Sequence, residues 1–137
     1  MKTFVRTLLT LAILLSLAAP GLLMARTPWI EKVPAREHQR GNTMAGSADA
    51  VAAGQLLFQD HCAKCHGADA DGKGKRPSLR TARVQETATP GDLHWFLVNG
   101  NLGRGMPSWS KLPDEQLWQI ITYLKSLKND SLKNDAR

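Results

Sequence analysis

The residue types best suited to chemistry form one pentapeptide, Cys62-Ala63-Lys64-Cys65-His66. Two thiols lie three positions apart and an imidazole follows the second, so one turn of chain carries all three groups. This spacing is typical of covalent c-type haem attachment, in which both sulfurs bond to one porphyrin and the histidine binds its iron. The residues therefore predict one haem c, bonded to Cys62 and Cys65, with His66 as an axial ligand of the iron.

Three other uses of the two cysteines remain open. A thioredoxin-like redox pair is expected where strands and helices alternate, and the sequence shows no such alternation. A zinc site needs further ligands, but His38, His61 and His94 show no second paired spacing. A disulfide between Cys62 and Cys65 would close too small a loop to stabilise a fold appreciably.

Three amphipathic segments are predicted to be the helices that position these groups. The first covers residues 48–60 and has Ser47 as its cap. The second starts at Thr89-Pro90-Gly91-Asp92, where a cap, a helix-starting proline and an acid follow one another, and it ends at Gly100. The third lies within residues 112–127, with apolar side chains at spacings of three and four. No segment alternates with a period of two, so the predicted fold class is all-α.

The first 25 residues predict export. Lys2 and Arg6 precede an apolar run, which is the pattern of a cleaved secretory signal peptide. An uncleaved membrane anchor is the alternative, because residues 8–25 approach the length that spans a bilayer. The predicted location is the periplasm, and contact with a membrane is expected only if this leader is retained.

The rest of the 137-residue chain is predicted to hold one small domain at residues 47–130, followed by a C-terminal tail at 131–137. Residues 26–46 contain two prolines and no hydrophobic period, which predicts an extended, solvated arm. Trp29 and Ile30 are the arm residues expected to pack on the domain. The formal net charge is +6, and +4 without Lys2 and Arg6 of the leader, which is only mildly basic, so a nucleic-acid partner is not predicted.

With Gly54 and Phe58 placed eight and four residues before Cys62, the chain resembles the class I cytochrome c family. That family packs the glycine against its last helix, because a residue without a side chain lets two helices approach closely. The resemblance covers about residues 47–128 and implies a small all-α domain wrapped around one covalent haem. The matching residues of the last helix are Ile120, Tyr123 and Leu124.

The resemblance also implies a second axial ligand. Residues 103–109 look like the methionine loop of the family, which makes Met106 the expected distal ligand. His94 is the runner-up, although a single histidine in an amphipathic helix is more often structural. Pro77 is similar to the family proline whose carbonyl accepts a hydrogen bond from the ligating histidine, here His66. Four apolar side chains are candidates to line the porphyrin: Leu79, Trp95, Leu102 and Trp109.

Ligation by His66 and Met106 would leave the iron without an open position, and a thioether ligand favours the ferrous state. The resemblance therefore implies a periplasmic monohaem carrier of single electrons, not an enzyme, whose partners are redox proteins such as an oxidase or a dehydrogenase. A haem-based enzyme or gas sensor, in which Met106 does not hold the iron, stays open, as does a non-haem metal or redox module.

Basic residues flank the predicted haem loops and form either an ordinary solvated surface or a rim that steers an acidic partner. We call them the basic rim. Its members are Lys64, Lys73, Lys75, Arg76, Arg80, Arg83 and Arg104.

Overall fold

The computed structural model describes residues 29–135, with side chains described through residue 128. The predicted leader therefore lies outside the described residues. Helices are connected by loops, and the described residues form no strand, only two isolated bridges. The all-α fold class is confirmed. In chain order the α-helices are α1 (Ala35–His38), α2 (Ala48–His61), α3 (Ala63–His66), α4 (Pro90–Asn99) and α5 (Asp114–Asp135).

The starts of α2 and α4 follow the predicted local chemistry. The Ser47 side chain accepts a hydrogen bond from the Ala50 N–H at 3.2 Å. At α4 the Asp92 N–H donates to the Thr89 hydroxyl at 3.1 Å, and the Thr89 N–H donates back to the Asp92 carboxylate at 2.8 Å. This reciprocal pair satisfies two N–H groups that the helix itself leaves without partners. Gly100 ends α4 with φ of +67°, as predicted.

Helix α5 is longer than the sequence pattern suggested. It continues to Asp135, past the expected end of the domain at residue 130. No glycine or proline follows Pro113, so nothing in the sequence breaks the helix once it has begun. The segment predicted as a separate C-terminal tail, 131–137, is therefore helical as far as the structure describes it.

The crossing of α2 and α5 forms the centre of the core. A Cβ atom placed on Gly54 would lie 2.0 Å from the Gln119 carbonyl oxygen and 2.9 Å from the Tyr123 Cβ. Phe58 is fully buried one turn further along α2, with its ring centroid 5.3 Å from that of Tyr123. The predicted close approach of these helices is confirmed, and its tightest point is the backbone of Gln119.

Residues 29–46 are not extended as predicted, although most of them are exposed and none is buried. This segment contains a 3-10 turn and α1, and it packs along α4. The centroid of the Trp29 ring lies 5.0 Å from that of Phe96, which confirms that Trp29 packs on the domain. A Cβ on Gly91 would lie 1.8 Å from the Glu37 carbonyl oxygen, so the two backbones touch. The arm therefore docks through the backbone of Glu37 as well as through apolar side chains such as Trp29.

A polar network fixes the end of the arm. The Arg40 guanidinium donates to Glu37 at 3.1 Å and to His94 Nδ1 at 3.2 Å, and it lies 5.0 Å from the centre of the Trp118 ring system. Because arginine only donates, His94 Nδ1 accepts and its Nε2–H donates to Asp114 at 2.6 Å. Burial alone would raise the pKa of Asp114, but hydrogen bonds from His94 and Trp118 hold it below its usual range. Buried His94 is thus a structural histidine, as expected, with both ring nitrogens engaged.

Candidate cofactor site

The predicted thiols and imidazole lie together where α2 passes into α3. The Cys62 N–H ends α2 by donating to the Phe58 carbonyl at 2.8 Å. The Cys62 carbonyl then accepts from the N–H groups of Cys65 and His66 at 3.1 and 2.9 Å. One helical turn therefore carries all three functional groups, with Cys62 partly buried and Cys65 exposed and no disulfide between them.

The Cys62 thiol has an environment that opposes redox chemistry by a cysteine pair. Burial, with a further contribution from Cys65, raises the pKa of Cys62 to about 12. Reactive cysteine pairs instead have thiols whose pKa is lowered, because the thiolate is the nucleophile. Cys62 is therefore unsuited to be the nucleophile of a thioredoxin-like pair. Within the described part of the chain, no group of three or more His, Cys, Asp or Glu side chains is arranged to bind a metal ion.

The loop after α3 orients His66 through its backbone. The His66 Nδ1–H donates to the Pro77 carbonyl at 3.0 Å, as predicted, and this leaves Nε2 with a lone pair for a metal. The loop closes because the Gly72 N–H donates to the His66 carbonyl at 2.7 Å. Gly72 has φ of +89°, and a Cβ there would lie 2.7 Å from the Arg76 carbonyl oxygen, so only glycine fits.

Met106 ends a short loop that starts at Asn101, and backbone hydrogen bonds join these two residues. The Asn101 N–H donates to the Met106 carbonyl at 2.8 Å, and the Met106 N–H donates to the Asn101 carbonyl at 3.0 Å. The Trp109 N–H then donates to the Leu97 carbonyl at 2.9 Å and ties the loop to α4. The pairing of Asn101 was not predicted from the sequence, although Gly103 and Gly105 between the paired residues are typical of a tight turn.

The apolar candidates differ in how they pack. Leu79 and Trp109, like Met106, are partly buried against the core, Trp95 is partly buried, and Leu102 is 77% exposed. The Trp109 ring also lies 5.2 Å from the ring of His61, a contact that the spacing of these residues could not indicate.

The residues present fit a covalent haem. Two thiols are suited to bonding the vinyl groups, an imidazole nitrogen and a thioether sulfur are both iron ligands, and the part-exposed apolar side chains can cover the porphyrin faces. Three lysines of the basic rim, Lys64, Lys73 and Lys75, are exposed near these loops. Arg80 instead donates to the Asp69 carbonyl at 2.6 Å and pairs with Asp71 at 3.2 Å.

Comparison with known proteins decides the family. Residues 49–124 match the family described as cytochrome C oxidase, cbb3-type, subunit III. The chain belongs to this family of c-type cytochromes. The resemblance to monohaem c-type cytochromes is thus confirmed, and the cofactor of this cytochrome is a covalently bound haem c with its iron. The matched residues begin after the arm, which lies outside the family domain.

Curated relatives of the cytochrome include two kinds of protein. It is 36% identical over 88 residues to cytochrome c550 of Pseudomonas aeruginosa, an alignment that covers 59% of this chain and 58% of that protein. It is 33% identical over 95 residues to the cbb3-type cytochrome c oxidase subunit CcoP of Azospirillum sp., covering 63% of this chain and 31% of that subunit. For CcoP of Rhodobacter capsulatus the identity is 34% over 87 residues, an alignment that covers 55% of this chain and 28% of that subunit. The chain spans less than two thirds of the length of each relative.

The length and hydropathy of the helices bear on whether any of them could cross a membrane. Among residues 29–135, none combines the length and the apolar character needed to cross a bilayer. The predicted leader is not part of that range.

Proposed function

We propose that this cytochrome is an exported, periplasmic carrier of single electrons. Cys62 and Cys65 form the thioether bonds to its one haem, and His66 and Met106 are the axial ligands. The observation that carries the proposal is the hydrogen bond from His66 Nδ1 to the Pro77 carbonyl, 3.0 Å long. It fixes the tautomer and the ring orientation that an iron-binding histidine requires.

Each side chain has a defined task in this proposal. Cys62 and Cys65 would hold the haem through two thioether bonds. Each bond would result from addition of an S–H across one vinyl group, with sulfur on one vinyl carbon and hydrogen on the other, so no oxidant would be needed. The Pro77 carbonyl increases the basicity of the His66 imidazole by accepting its second N–H. The Met106 sulfur favours the ferrous state and raises the reduction potential. The bound haem supplies an iron that takes up and releases one electron.

Ligands on both sides leave no iron position for a substrate, which favours a carrier over an enzyme. The relatives named CcoP are subunits of an oxidase, which supports a respiratory redox protein, an oxidase or a dehydrogenase, as partner. The exposed lysines Lys64, Lys73 and Lys75 support an acidic docking surface on that partner. Such encounters need only small, short-lived interfaces. Attachment to a membrane follows only if residues 1–25 are retained.

The proposal is tested with protein produced alongside intact haem-maturation machinery. We expect a low-spin spectrum with the weak far-red band of a sulfur-to-iron bond, and a pigment that stays with the protein in acidic acetone. Met106→Ala should remove the band and lower the potential. Met44→Ala, which changes a partly buried methionine of the arm, should leave both unchanged.

Three results would contradict parts of this proposal. Pigment extracted by acidic acetone would refute thioether bonds at Cys62 and Cys65. A band that persists in Met106→Ala would refute the distal ligand. A high-spin spectrum of the unmodified protein would instead support an enzyme or gas sensor with an open iron position.

A further inference from the structure

Arg76 is held rigidly beside the carbonyl that orients His66. Its backbone pairs with Lys73 in both directions, with N–O distances of 3.0 and 3.3 Å. The missing side chain of Gly72 lets the Arg76 carbonyl approach closely. Pro77, the acceptor of the His66 hydrogen bond, is the next residue. The side chain of Arg76 therefore leaves from a fixed point on the loop that faces the proximal ligand.

The guanidinium of Arg76 crosses to the loop of Met106. Its Nη1 donates a hydrogen bond to the Arg104 carbonyl, 28 residues further along the chain. A Cβ on Gly105 would lie 3.0 Å from both Nη1 and Nη2 of Arg76, so the guanidinium also packs against the backbone there. Arg104 and Gly105 directly precede Met106. One side chain thus joins the two loops that carry the proposed ligand and the carbonyl acceptor.

This contact distinguishes Arg76 from the rest of the basic rim. Lys73, Lys75 and Arg104 are exposed, whereas Arg76 is partly buried. Arg80 is also partly buried, but its partners lie in its own loop. An electrostatic role toward a partner protein does not require a hydrogen bond across the site. The geometry of Arg76 is that of a structural clamp.

The Met106 loop is connected to the rest of the domain differently before and after Met106. After Met106 the chain is tied to α4 by Ser108, whose hydroxyl donates to the Val98 carbonyl at 2.5 Å, and by the backbone of Trp109. Before Met106, the backbone hydrogen bonds of the loop run to Asn101, which directly follows the end of α4, and to other residues of the loop, but not to another element. Arg76 supplies a connection there, through a hydrogen bond from a charged donor, which is stronger than a neutral one.

We infer that Arg76 is a positioning residue that holds the Met106 loop against the domain and so strengthens the bond between the Met106 sulfur and the iron. The inference rests on the proposed ligation by Met106. Without the clamp, the loop before Met106 is freer to move away, and an added ligand replaces the sulfur more easily.

The test is the binding of imidazole to the ferric, haem-loaded protein, followed by loss of the far-red sulfur-to-iron band. Loss of a hydrogen bond from a charged donor should raise the apparent affinity for imidazole about tenfold or more in Arg76→Gln. Arg80→Gln is the matched control, since it removes the same charge from the same loop and should leave the affinity near that of the unmodified protein. Arg76→Lys, which keeps the charge and one donor, should fall in between and serves if Arg76→Gln does not fold.

The outcomes separate this inference from the proposed function. A missing band in the unmodified protein would refute ligation by Met106 itself. A band that is present, with the same imidazole affinity in the Arg76 variants, would overturn the inference alone. Equal increases in Arg76→Gln and Arg80→Gln would assign the effect to charge and also overturn it. A changed reduction potential with unchanged imidazole affinity would overturn the inference as well, because Arg76 would then act through its charge on the haem and not through the Met106 loop.

Discussion

Replacing Gly54 by alanine should separate the two longest helices. The added Cβ would lie 2.0 Å from the Gln119 carbonyl oxygen and 2.5 Å from the carbonyl carbon, while ordinary contacts begin at 3.4 Å. Backbone atoms cannot rotate away as a side-chain end can. Helix α2 must therefore move from α5 by about 1.4 Å at this point, which also loosens the nearby contact of Phe58 with Tyr123.

The expected net effect of Gly54→Ala combines two opposing contributions. Alanine favours the helix interior over glycine by about 1 kcal/mol. Overpacking a well-filled core typically costs about 1–3 kcal/mol, and occasionally more. A clash with backbone belongs at the upper end of that range, so we expect a net loss of about 2 kcal/mol in the free energy of unfolding. For a domain of this size the melting temperature should fall by about 8 °C or more.

Denaturant unfolding of the haem-loaded protein, followed by far-UV circular dichroism, measures this loss. Gly41→Ala is the control, because a Cβ on Gly41 meets nothing within 4 Å and its φ is not positive. That variant should stay within about 0.5 kcal/mol of the unmodified protein. A Gly54→Ala protein as stable as the control would refute the argument that a missing side chain sets the helix crossing.

Two further predictions concern the arm and its polar network. Gly91→Ala places a Cβ 1.8 Å from the Glu37 carbonyl, so the arm should detach and trypsin should cleave after Arg40 faster, with the far-red band retained; an unchanged cleavage rate would contradict the docked arm. Burial raises the pKa of Asp114, but hydrogen bonds from His94 and Trp118 outweigh it and lower the pKa in the folded state. The Asp114 carboxylate therefore stabilises the fold at neutral pH. This stabilisation is lost as the pH falls below about 4. Asp114→Asn should flatten this acid limb of the stability profile, and an identical pH dependence would count against the network.

Local patterns were sufficient for much of the fold and of the candidate site. The start of α4 depends on hydrogen bonds between residues three apart, Thr89 and Asp92, so short-range residue types predict it. The grouping of Cys62, Cys65 and His66 likewise follows from a single helical turn. The hydrogen bond from His66 to the Pro77 carbonyl could be predicted because the resemblance to the class I cytochrome c family implied it. The roles of Cys62, Cys65, His66 and Met106 remain predictions that the proposed spectra test.

Contacts between distant polar residues could not be predicted in the same way. Arg40 meets His94 across 54 positions, and Arg76 meets Arg104 across 28. Such pairs leave no hydrophobic period, since each partner alone is typical of a solvated residue. For this reason the sequence did not indicate that the arm forms helical turns and packs on α4.

The docked arm makes the folding unit larger than the stretch that family comparison delimits. Residues 49–124 would end before α5 is complete and would omit His38, whose ring pairs with the fully buried carboxylate of Asp92 at 2.8 Å. They would also omit Asn42, which donates to the Thr122 hydroxyl at 2.8 Å. Fusing or transplanting this cytochrome by its family boundaries would remove these partners of Asp92 and Thr122, so the segment to keep reaches back at least to Trp29.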